Sequence, residues 1–287
     1  MAFQWQTFKT RALTAIVFVI VMAAGLFTGK WSFFILFSFV HFGCWLEYQK
    51  LVSRFNPDYG NITAFHKYGI MIAGWCLLLY FTNYELQLNG WYFTEMGLVL
   101  GAILIIVLPV VALIKEKMAF VKNMSFSLMG IIYISLSLGL MIYMRNHWNE
   151  ENYRLNMTIP LLIIFSLWIN DTMAYIVGSF IGKTPLSPIS PKKTWEGTIG
   201  GAILAVIVMV LIAHFTGRLS LLHTAIIAGI AAITGTMGDL FESKLKRMAG
   251  VKDSGNIMPG HGGFLDRFDS LLFAATAVWF YAVIFLD

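Results

Sequence analysis

The sequence predicts an all-α polytopic integral membrane protein with about nine transmembrane helices. Hydrophobic residues make up 58% of the 287 residues and charged residues only 12%, and the mean hydropathy is +0.74. This composition lies outside the range of soluble globular domains. Several apolar runs are long enough to approach the roughly 30 Å hydrocarbon core of a bilayer. The net charge of +5 is first explained by the enrichment of Lys and Arg in the cytoplasmic loops of membrane proteins. We therefore expect no nucleic-acid partner.

Nine apolar runs define the predicted helices in chain order. They cover about residues 13–29, 31–47, 68–83, 97–114, 125–144, 158–181, 198–216, 220–238 and 270–286. Lys9 and Arg11 before the first run imitate a signal peptide, but a second run follows at once, so we expect the first helix to stay uncleaved. Cys44 and Cys76 lie in apolar runs and indicate neither a disulfide nor a cysteine-based metal site.

The basic residues predict the orientation of these helices. With a cytoplasmic N-terminus, all but four of the 20 Lys and Arg residues fall on the cytoplasmic side. Cytoplasmic loops are enriched in these residues, so the bias indicates this orientation. We therefore expect the loops 182–197 and 239–269, which carry the candidate chemistry, at the cytoplasmic face, and at the inner membrane if the protein is bacterial.

The two halves of the chain differ in chemical content. We expect residues 1–157 to form about five structural, lipid-facing helices and residues 158–287 to form a catalytic half of about four helices. In the first half, His41 and His66 have no partner at ligand spacing, and we expect Glu47 to be solvated at the membrane boundary. We find no internal repeat of the kind that marks inverted-repeat transporters.

Asp171 lies within the sixth predicted helix. A carboxylate there costs about 2.5–3.5 kcal/mol on insertion scales, so we expect it to face a polar cavity, a cation or a substrate. A hydrogen bond to a neighbouring helix for structure alone is the alternative. Ala174, Gly178 and Gly182 follow at four-residue spacing, which predicts close packing against another helix.

The loop after the sixth predicted helix carries a cationic cluster formed by Lys183, Lys192 and Lys193. Its three prolines and several glycines exclude a regular helix. We expect the cluster to bind a polyanionic triphosphate. Binding of anionic lipid headgroups, or a purely topological role, is the alternative.

The most charged stretch of the chain runs from residue 238 to residue 270. If the preceding helix continues past Gly238, then Asp239, Ser243 and Lys246 share one helix face. This arrangement points a carboxylate, a hydroxyl and an ammonium in the same direction. A solvated loop whose charges follow topology is the alternative.

The second part of this stretch contains a glycine-rich turn followed by two acids. The turn includes Gly262 and Gly263 and can direct backbone N–H groups at an anion. Asp266 and Asp269 follow at i, i+3 in the first turn of the next predicted helix. Carboxylates at this spacing can hold a hard cation that also binds phosphate oxygens.

This stretch resembles the signature of the phosphatidate cytidylyltransferase, or CDP-diacylglycerol synthase, family. The residues at signature spacing are Ser243, Lys246, Arg247, Lys252, Asp253, Gly255, Pro259, His261, Gly262, Gly263, Asp266, Arg267 and Asp269. Met258 is a conservative departure at an apolar position. The segments around Asp171 and around Lys192 resemble the second characteristic region of the family, so the resemblance covers about residues 160–287.

The resemblance implies transfer of CMP from CTP to phosphatidic acid, with release of pyrophosphate. The lipid phosphate is already anionic near neutral pH, so the reaction needs charge neutralisation and in-line positioning more than a strong base. We expect the following catalytic residues: Asp239, Asp266, Lys246, Arg247 and His261, with the role of His261 left open. Metal ligands are expected at Asp239, Asp266 and Asp269. Substrate binding is expected at Asp171, Lys192, Lys193, Ser243, Lys252, Gly262, Gly263 and Arg267.

The implied cofactor is Mg²⁺, with a second, monovalent or divalent, cation left open. The expected partners are CTP and phosphatidic acid, and a homodimer through membrane helices stays open. We also expect a funnel-shaped cytoplasmic cavity in which the carboxylates of Asp171, Asp239 and Asp266 lie within about 10 Å of one another. Two other function classes are alternatives: a CTP-dependent polyprenol or other lipid kinase, and a non-enzymatic ion or lipid transporter.

Overall fold

The computed structural model describes residues 5–148, 152–256 and 262–286. Helices dominate these ranges, as predicted, and a helix overlaps each of the nine predicted apolar runs. Within these described ranges, five helical segments are long and apolar enough to cross a membrane. They are Phe93–Asn146, Tyr153–Ile181, Trp195–Thr216, Leu221–Met248 and Leu265–Phe285. The chain is therefore a polytopic membrane protein.

The chain divides into two compact units. One consists of Met1–Ile142 with Met248–Arg267, and the other of Tyr143–Arg247 with Phe268–Asp287. In the first unit, Ser254, Phe264 and Leu265 contact Glu47 of the second helix of the chain. The expected boundary at residue 157 stays a prediction. The structural and catalytic roles expected for the two halves stay predictions.

The helices of the first unit follow one another along the chain. They are α1 (Trp5–Phe27), α2 (Lys30–Phe55), α3 (Pro57–Gly60), α4 (Ala64–Tyr80), α5 (Phe93–Glu116) and α6 (Phe120–Gly130). A hairpin of β1 (Gln87–Leu88) and β2 (Trp91–Tyr92) precedes α5. Its turn is Asn89-Gly90, with positive φ angles of 50° and 85°, as expected for a two-residue hairpin turn.

A turn at Lys117 divides the longest helical run of the structure. The run of 54 residues from Phe93 to Asn146 would extend about 80 Å as one straight helix, far more than a bilayer core. Lys117 has a φ of 47° and α5 ends at Glu116. The chain then turns, so that α6 contacts both α5 and α2. A π-helical segment, Ile131–Leu136, links α6 to α7 (Ser137–Asn146).

The buried histidines of the first unit have partners that the sequence did not reveal. The two ring nitrogens of His66 lie 2.5 Å from Glu116 Oε1 and 2.9 Å from Ser127 Oγ. His41 Nε2 lies 3.0 Å from the hydroxyl oxygen of Ser135. The expectation of lone histidines is wrong because these partners come from helices distant in sequence.

The second unit contains the remaining long helices. They are α8 (Tyr153–Ile181), α9 (Trp195–Thr216), α10 (Leu221–Met248) and α11 (Leu265–Phe285), the last of which begins in the first unit. A hairpin of β3 (Pro185–Ser187) and β4 (Ser190–Thr194) connects α8 to α9. The loop expected at 239–269 is thus helical as far as Met248.

Small residues allow α8 and α9 to pack closely. A side chain at Gly197 would approach the carbonyl oxygen of Ala174 at 2.7 Å and the Cα of Gly178 at 2.9 Å. A side chain at Gly201 would approach Ala174 Cβ at 2.7 Å. The predicted close packing of this stripe against another helix is confirmed, and the partner is α9.

Candidate active site

The β3–β4 hairpin positions the two lysines predicted to bind a triphosphate. Lys192 and Lys193 lie on β4. The base of the hairpin is held by Glu196, whose carboxylate accepts hydrogen bonds from the backbone N–H groups of Lys183 at 3.1 Å and Thr184 at 3.2 Å. These bonds connect the start of the loop to the first turn of α9. The prediction that this loop is not helical is confirmed for residues 182–194, whereas residues 195–197 already belong to α9.

Lys193 forms an ion pair with a predicted metal ligand. Its Nζ lies 2.5 Å from Asp239 Oδ2. Asp239 lies on α10, so the predicted continuation of this helix past Gly238 is confirmed. Gly238 allows α10 to approach α11, because a side chain here would clash with the carbonyl oxygen of Asp269.

Asp269 is the most buried acid of this cluster. It is 7% exposed, and its Oδ1 accepts a hydrogen bond from the N–H of Ser270 at 2.6 Å. Asp239, Asp171 and Lys193 lie close enough to act electrostatically on its carboxylate. We call Asp171, Lys193, Asp239 and Asp269 the acidic cluster of the second unit.

The acidic cluster fits a metal that is partly coordinated by substrate. In the described ranges, no group of three or more His, Cys, Asp or Glu side chains is close enough to hold a metal ion by itself. Mg²⁺ usually retains water and binds through one or two carboxylates together with substrate phosphates. Asp239 and Asp269 match such a partial ligand set.

The face of α10 that follows Asp239 contains an ion pair that sequence reasoning missed. Glu242 is fully buried and pairs with the ammonium of Lys246 one turn later. Ser243, beside it, is also buried, whereas Arg247 at the end of the helix is exposed. The i, i+4 spacing of Glu242 and Lys246 was the signal available for this pair.

Glu47 of α2 organises the start of α11 in the first unit. It is 6% exposed, and its carboxylate accepts hydrogen bonds from the N–H groups of Phe264 and Leu265, both at 2.9 Å. The hydroxyl of Ser254 lies 2.7 Å from Glu47 Oε2. The expectation that Glu47 is solvated is wrong, because the first N–H groups of a helix lack helical acceptors and this carboxylate provides them.

Asp266 binds the glycine-rich turn that contains Gly262 and Gly263, which we call the signature turn. Its Oδ2 accepts hydrogen bonds from the N–H groups of Ser254 and Gly263, both at 2.8 Å. The Ser254 hydroxyl lies 2.9 Å from the same oxygen, so its one proton is shared between Asp266 and Glu47. These bonds fix the carboxylate of Asp266 against the backbone of Ser254 and Gly263.

The glycines of the signature turn allow these close approaches. Gly262 has a φ of 82°, and a side chain there would lie 2.6 Å from Asp266 Oδ2. A side chain at Gly263 would clash with the carboxylate of Glu47. The glycine pair therefore packs against carboxylates, whereas sequence reasoning directed it at an anionic substrate.

The remaining predicted residues have different positions. Lys252 and Arg267 are exposed in the first unit, and His261 lies outside the described residues. Asp266 belongs to the first unit, whereas Asp171 and Asp239 belong to the second. The expected convergence of these three carboxylates in one cavity stays a prediction.

Comparison with known proteins decides the family. A model of the cytidylyltransferase family matches residues 9–285. This chain belongs to the cytidylyltransferase family. It is therefore a nucleotidyltransferase, and the resemblance inferred from the signature residues is confirmed.

Relatives within the cytidylyltransferase family include proteins from several bacteria. A phosphatidate cytidylyltransferase of Staphylococcus saprophyticus is 34% identical over 267 residues, which cover 92% of this chain and 95% of the relative. A protein of the same name from Synechocystis is 37% identical over 196 residues, 61% of this chain and 67% of the relative. Another from Aquifex aeolicus is 43% identical over 116 residues, 40% of this chain and 43% of the relative.

Proposed function

We propose that this cytidylyltransferase transfers CMP from CTP to phosphatidic acid, giving CDP-diacylglycerol and pyrophosphate. The observation that carries the proposal is the ion pair of Lys193 with Asp239 beside the buried carboxylate of Asp269. It joins a cationic loop suited to phosphates with acids suited to a cation. The relatives named phosphatidate cytidylyltransferase support this choice of substrates.

The reaction requires little covalent help from the protein. An oxygen of the lipid phosphate attacks the α-phosphorus of CTP, and the bond from that phosphorus to the bridging oxygen of pyrophosphate breaks. Charge on the transferring phosphoryl group must be neutralised and the two oxygens held in line. Lys192 and Lys193 would bind the triphosphate. Lys246 would be a further phosphate ligand, positioned by its ion pair with Glu242.

Mg²⁺ would be held by Asp239 and Asp269, and Asp266 is a further candidate ligand. The proposal leaves room for a second cation. When bound, it supplies positive charge to the phosphate oxygens. The Lys193 ammonium already neutralises Asp239, so a metal ion and this ammonium would compete for the same carboxylate. With a metal ion on Asp239, Lys193 would be available to bind the triphosphate. Binding of the nucleotide and binding of the metal would therefore be coupled.

The membrane arrangement belongs to the same proposal. It comprises nine transmembrane helices with a cytoplasmic N-terminus, the site at the cytoplasmic face, and the inner membrane if the protein is bacterial. CTP is soluble and phosphatidic acid lies in the bilayer, so the site must be open to both. A homodimer through membrane helices is compatible with this arrangement.

An isotope experiment tests the function directly. The purified protein is reconstituted in vesicles containing phosphatidic acid and supplied with Mg²⁺ and CTP labelled at the α- or the γ-phosphate. We expect the α-label, and not the γ-label, to enter the lipid fraction. Transfer of the γ-label would indicate a lipid kinase, and no nucleotide-dependent labelling would favour a transporter.

A further inference from the structure

One face of α2 carries other residues besides Glu47 that lie near residues 251–256, which we call the signature segment. Glu47, Lys50, Leu51 and Arg54 occupy positions i, i+3, i+4 and i+7, which share one side of a helix. Lys50, Leu51 and Arg54 line a polar cavity together with residues 251–256. The second helix of the chain therefore forms one wall of a cavity, and the signature segment forms the other.

The cavity is large enough for a phosphate group. Its volume is about 210 Å³, whereas a single water molecule needs about 10–15 Å³ of comparable space. Its lining includes Ser254, Gly255 and Asn256, whose backbone and side-chain groups are polar. A ligand of several polar atoms fits this space better than an acyl chain does.

The charge of the lining is strongly positive. Lys50, Arg54 and Lys252 line the cavity with a single acid, Asp253. Across the described ranges, the salt bridges do not include any of the three cations. Three cations facing one space repel one another, and an anionic ligand would remove that repulsion.

Hydrogen bonds fix Ser254 in the signature segment, the wall of the cavity opposite α2. Ser254 is 3% exposed, its hydroxyl lies 2.7 Å from Glu47 Oε2, and its N–H donates to Asp266 at 2.8 Å. Glu47 also holds the N–H groups that begin α11. A buried hydrogen-bond network therefore fixes the backbone at Ser254, beside Lys252 and Asp253 in the lining of the cavity.

We propose that this cavity is a phosphate-binding subsite, to which α2 contributes Lys50 and Arg54. Its ligand is a phosphate group of a substrate, either the terminal phosphates of the nucleotide or the headgroup of the lipid. The inference rests on the proposed function, because it names where one of that function's phosphates is bound. It assigns substrate recognition to the half of the chain that the sequence suggested was structural.

The test compares two double variants that remove the same charge. Lys50→Gln with Arg54→Gln changes the subsite, and Lys115→Gln with Lys122→Gln removes two exposed cations elsewhere in the first unit. Michaelis constants are measured for CTP and for phosphatidic acid in mixed micelles. We expect the subsite variant to raise one of them about tenfold or more, since charge-assisted hydrogen bonds are lost, and the control to leave both unchanged.

The substrate whose Michaelis constant rises identifies the source of the phosphate. Equal constants in the subsite variant and the unmutated protein, or the same increase in the control variant, would overturn the proposal. Single Lys50→Gln and Arg54→Gln variants, each expected to show a smaller increase, replace the double variant if it does not fold.

A binding measurement separates this inference from the proposed function. Thermal unfolding in detergent is followed with inorganic tripolyphosphate or with phosphatidic acid micelles as the probe. We expect one probe to stabilise the unmutated protein and the control variant, and to stabilise the subsite variant less. If the unmutated protein transfers no α-label yet shows this pattern, the subsite stands and the function fails. If transfer occurs and all three proteins respond alike to both probes, the subsite fails alone.

Discussion

A single carboxylate, that of Glu47, accepts two backbone hydrogen bonds at the start of α11 and contacts the hydroxyl of Ser254. Replacing Glu47 with Gln keeps the shape but leaves one acceptor oxygen in place of two. We expect the free energy of unfolding to fall by about 1–3 kcal/mol and kcat to fall more than tenfold, because Asp266 shares Ser254 with Glu47. Thermal unfolding and α-label transfer measure the two effects.

The control for Glu47 is an exposed acid on another helix. Glu95→Gln in the first turn of α5 makes the same chemical change without disturbing a buried network, and we expect wild-type stability and activity. A Glu47→Gln protein that matches this control in both measurements would refute the positioning role.

Asp239 offers a second prediction at the same scale. Asp239→Asn removes the charge that pairs with Lys193 and would hold Mg²⁺. We expect activity to fall a hundredfold or more, as loss of several kcal/mol of charge stabilisation requires, with normal membrane insertion. EDTA should abolish turnover of the unmutated protein. Asp58→Asn, at an exposed acid that pairs with Lys122, serves as the control, and near-normal activity of Asp239→Asn would remove the metal assignment.

Residue positions on one helix were predictable, whereas contacts across the chain were not. The shared face of Asp239, Ser243 and Lys246 depends only on helical periodicity, which the sequence carries. Glu47 contacts Ser254 across 207 residues, and no periodic pattern encodes such a pairing. Sequence reasoning directed the glycine pair of the signature turn at an anionic substrate. It missed the carboxylate of Glu47, which packs against Gly263 but lies more than 200 residues away in the sequence.

At the scale of elements, the β3–β4 hairpin carries Lys192 and Lys193, and the ion pair of Lys193 with Asp239 connects it to α10. Changing Lys192 and Lys193 together to Gln should raise the Michaelis constant for CTP, because the variant lacks two cations that we propose bind its phosphates. Helix orientation should survive, since most of the Lys and Arg residues predicted on the cytoplasmic side remain. Kinetics with varied CTP measure the first effect, and accessibility labelling measures the second.

Two results would contradict this prediction for the hairpin. An unchanged Michaelis constant for CTP would assign the lysines to topology or to lipid headgroups. Labelling of the unmutated hairpin from the outer face would place it away from cytoplasmic nucleotide. Lys183→Gln tests whether the third lysine of the cluster contributes, and we expect a smaller effect because this residue is not on β4.

Helix packing followed from the sequence more completely than loop structure did. Small residues at four-residue spacing predicted that α8 packs closely on another helix, and Gly197 and Gly201 of α9 are the partners. The hairpin could be predicted only as non-helical, because its strand pairing depends on Glu196, which holds the base of the loop from α9.

At the scale of the whole molecule, the orientation of the helices can be measured with cysteine reporters. Both native cysteines are buried, so they should react slowly with a membrane-impermeant maleimide in intact cells or sealed vesicles. With an added cysteine, Arg218→Cys should label from outside, whereas Asp58→Cys should label only after permeabilisation. Labelling of both from one side would refute the predicted topology.

Composition and charge bias were sufficient to predict a polytopic helical protein, because membrane insertion acts on these averages. The division into compact units was not predictable in the same way. It depends on the contacts of Ser254, Phe264 and Leu265 with Glu47. In the sequence, Glu47 has the context of a solvated residue at a membrane boundary.

The first unit is discontinuous in sequence, and this sets an order of events during synthesis. Its helices α1 to α6 emerge from the ribosome early, but Met248–Arg267 is made only after the whole of Tyr143–Arg247. Until then the Glu47 carboxylate lacks the N–H groups that it holds in the finished protein. Domains usually fold as units in order of synthesis, but this unit must wait for nearly the entire chain. A ribosome that stops before residue 248 therefore releases a product whose first unit lacks Met248–Arg267, so that Glu47 is left without Ser254, Phe264 and Leu265.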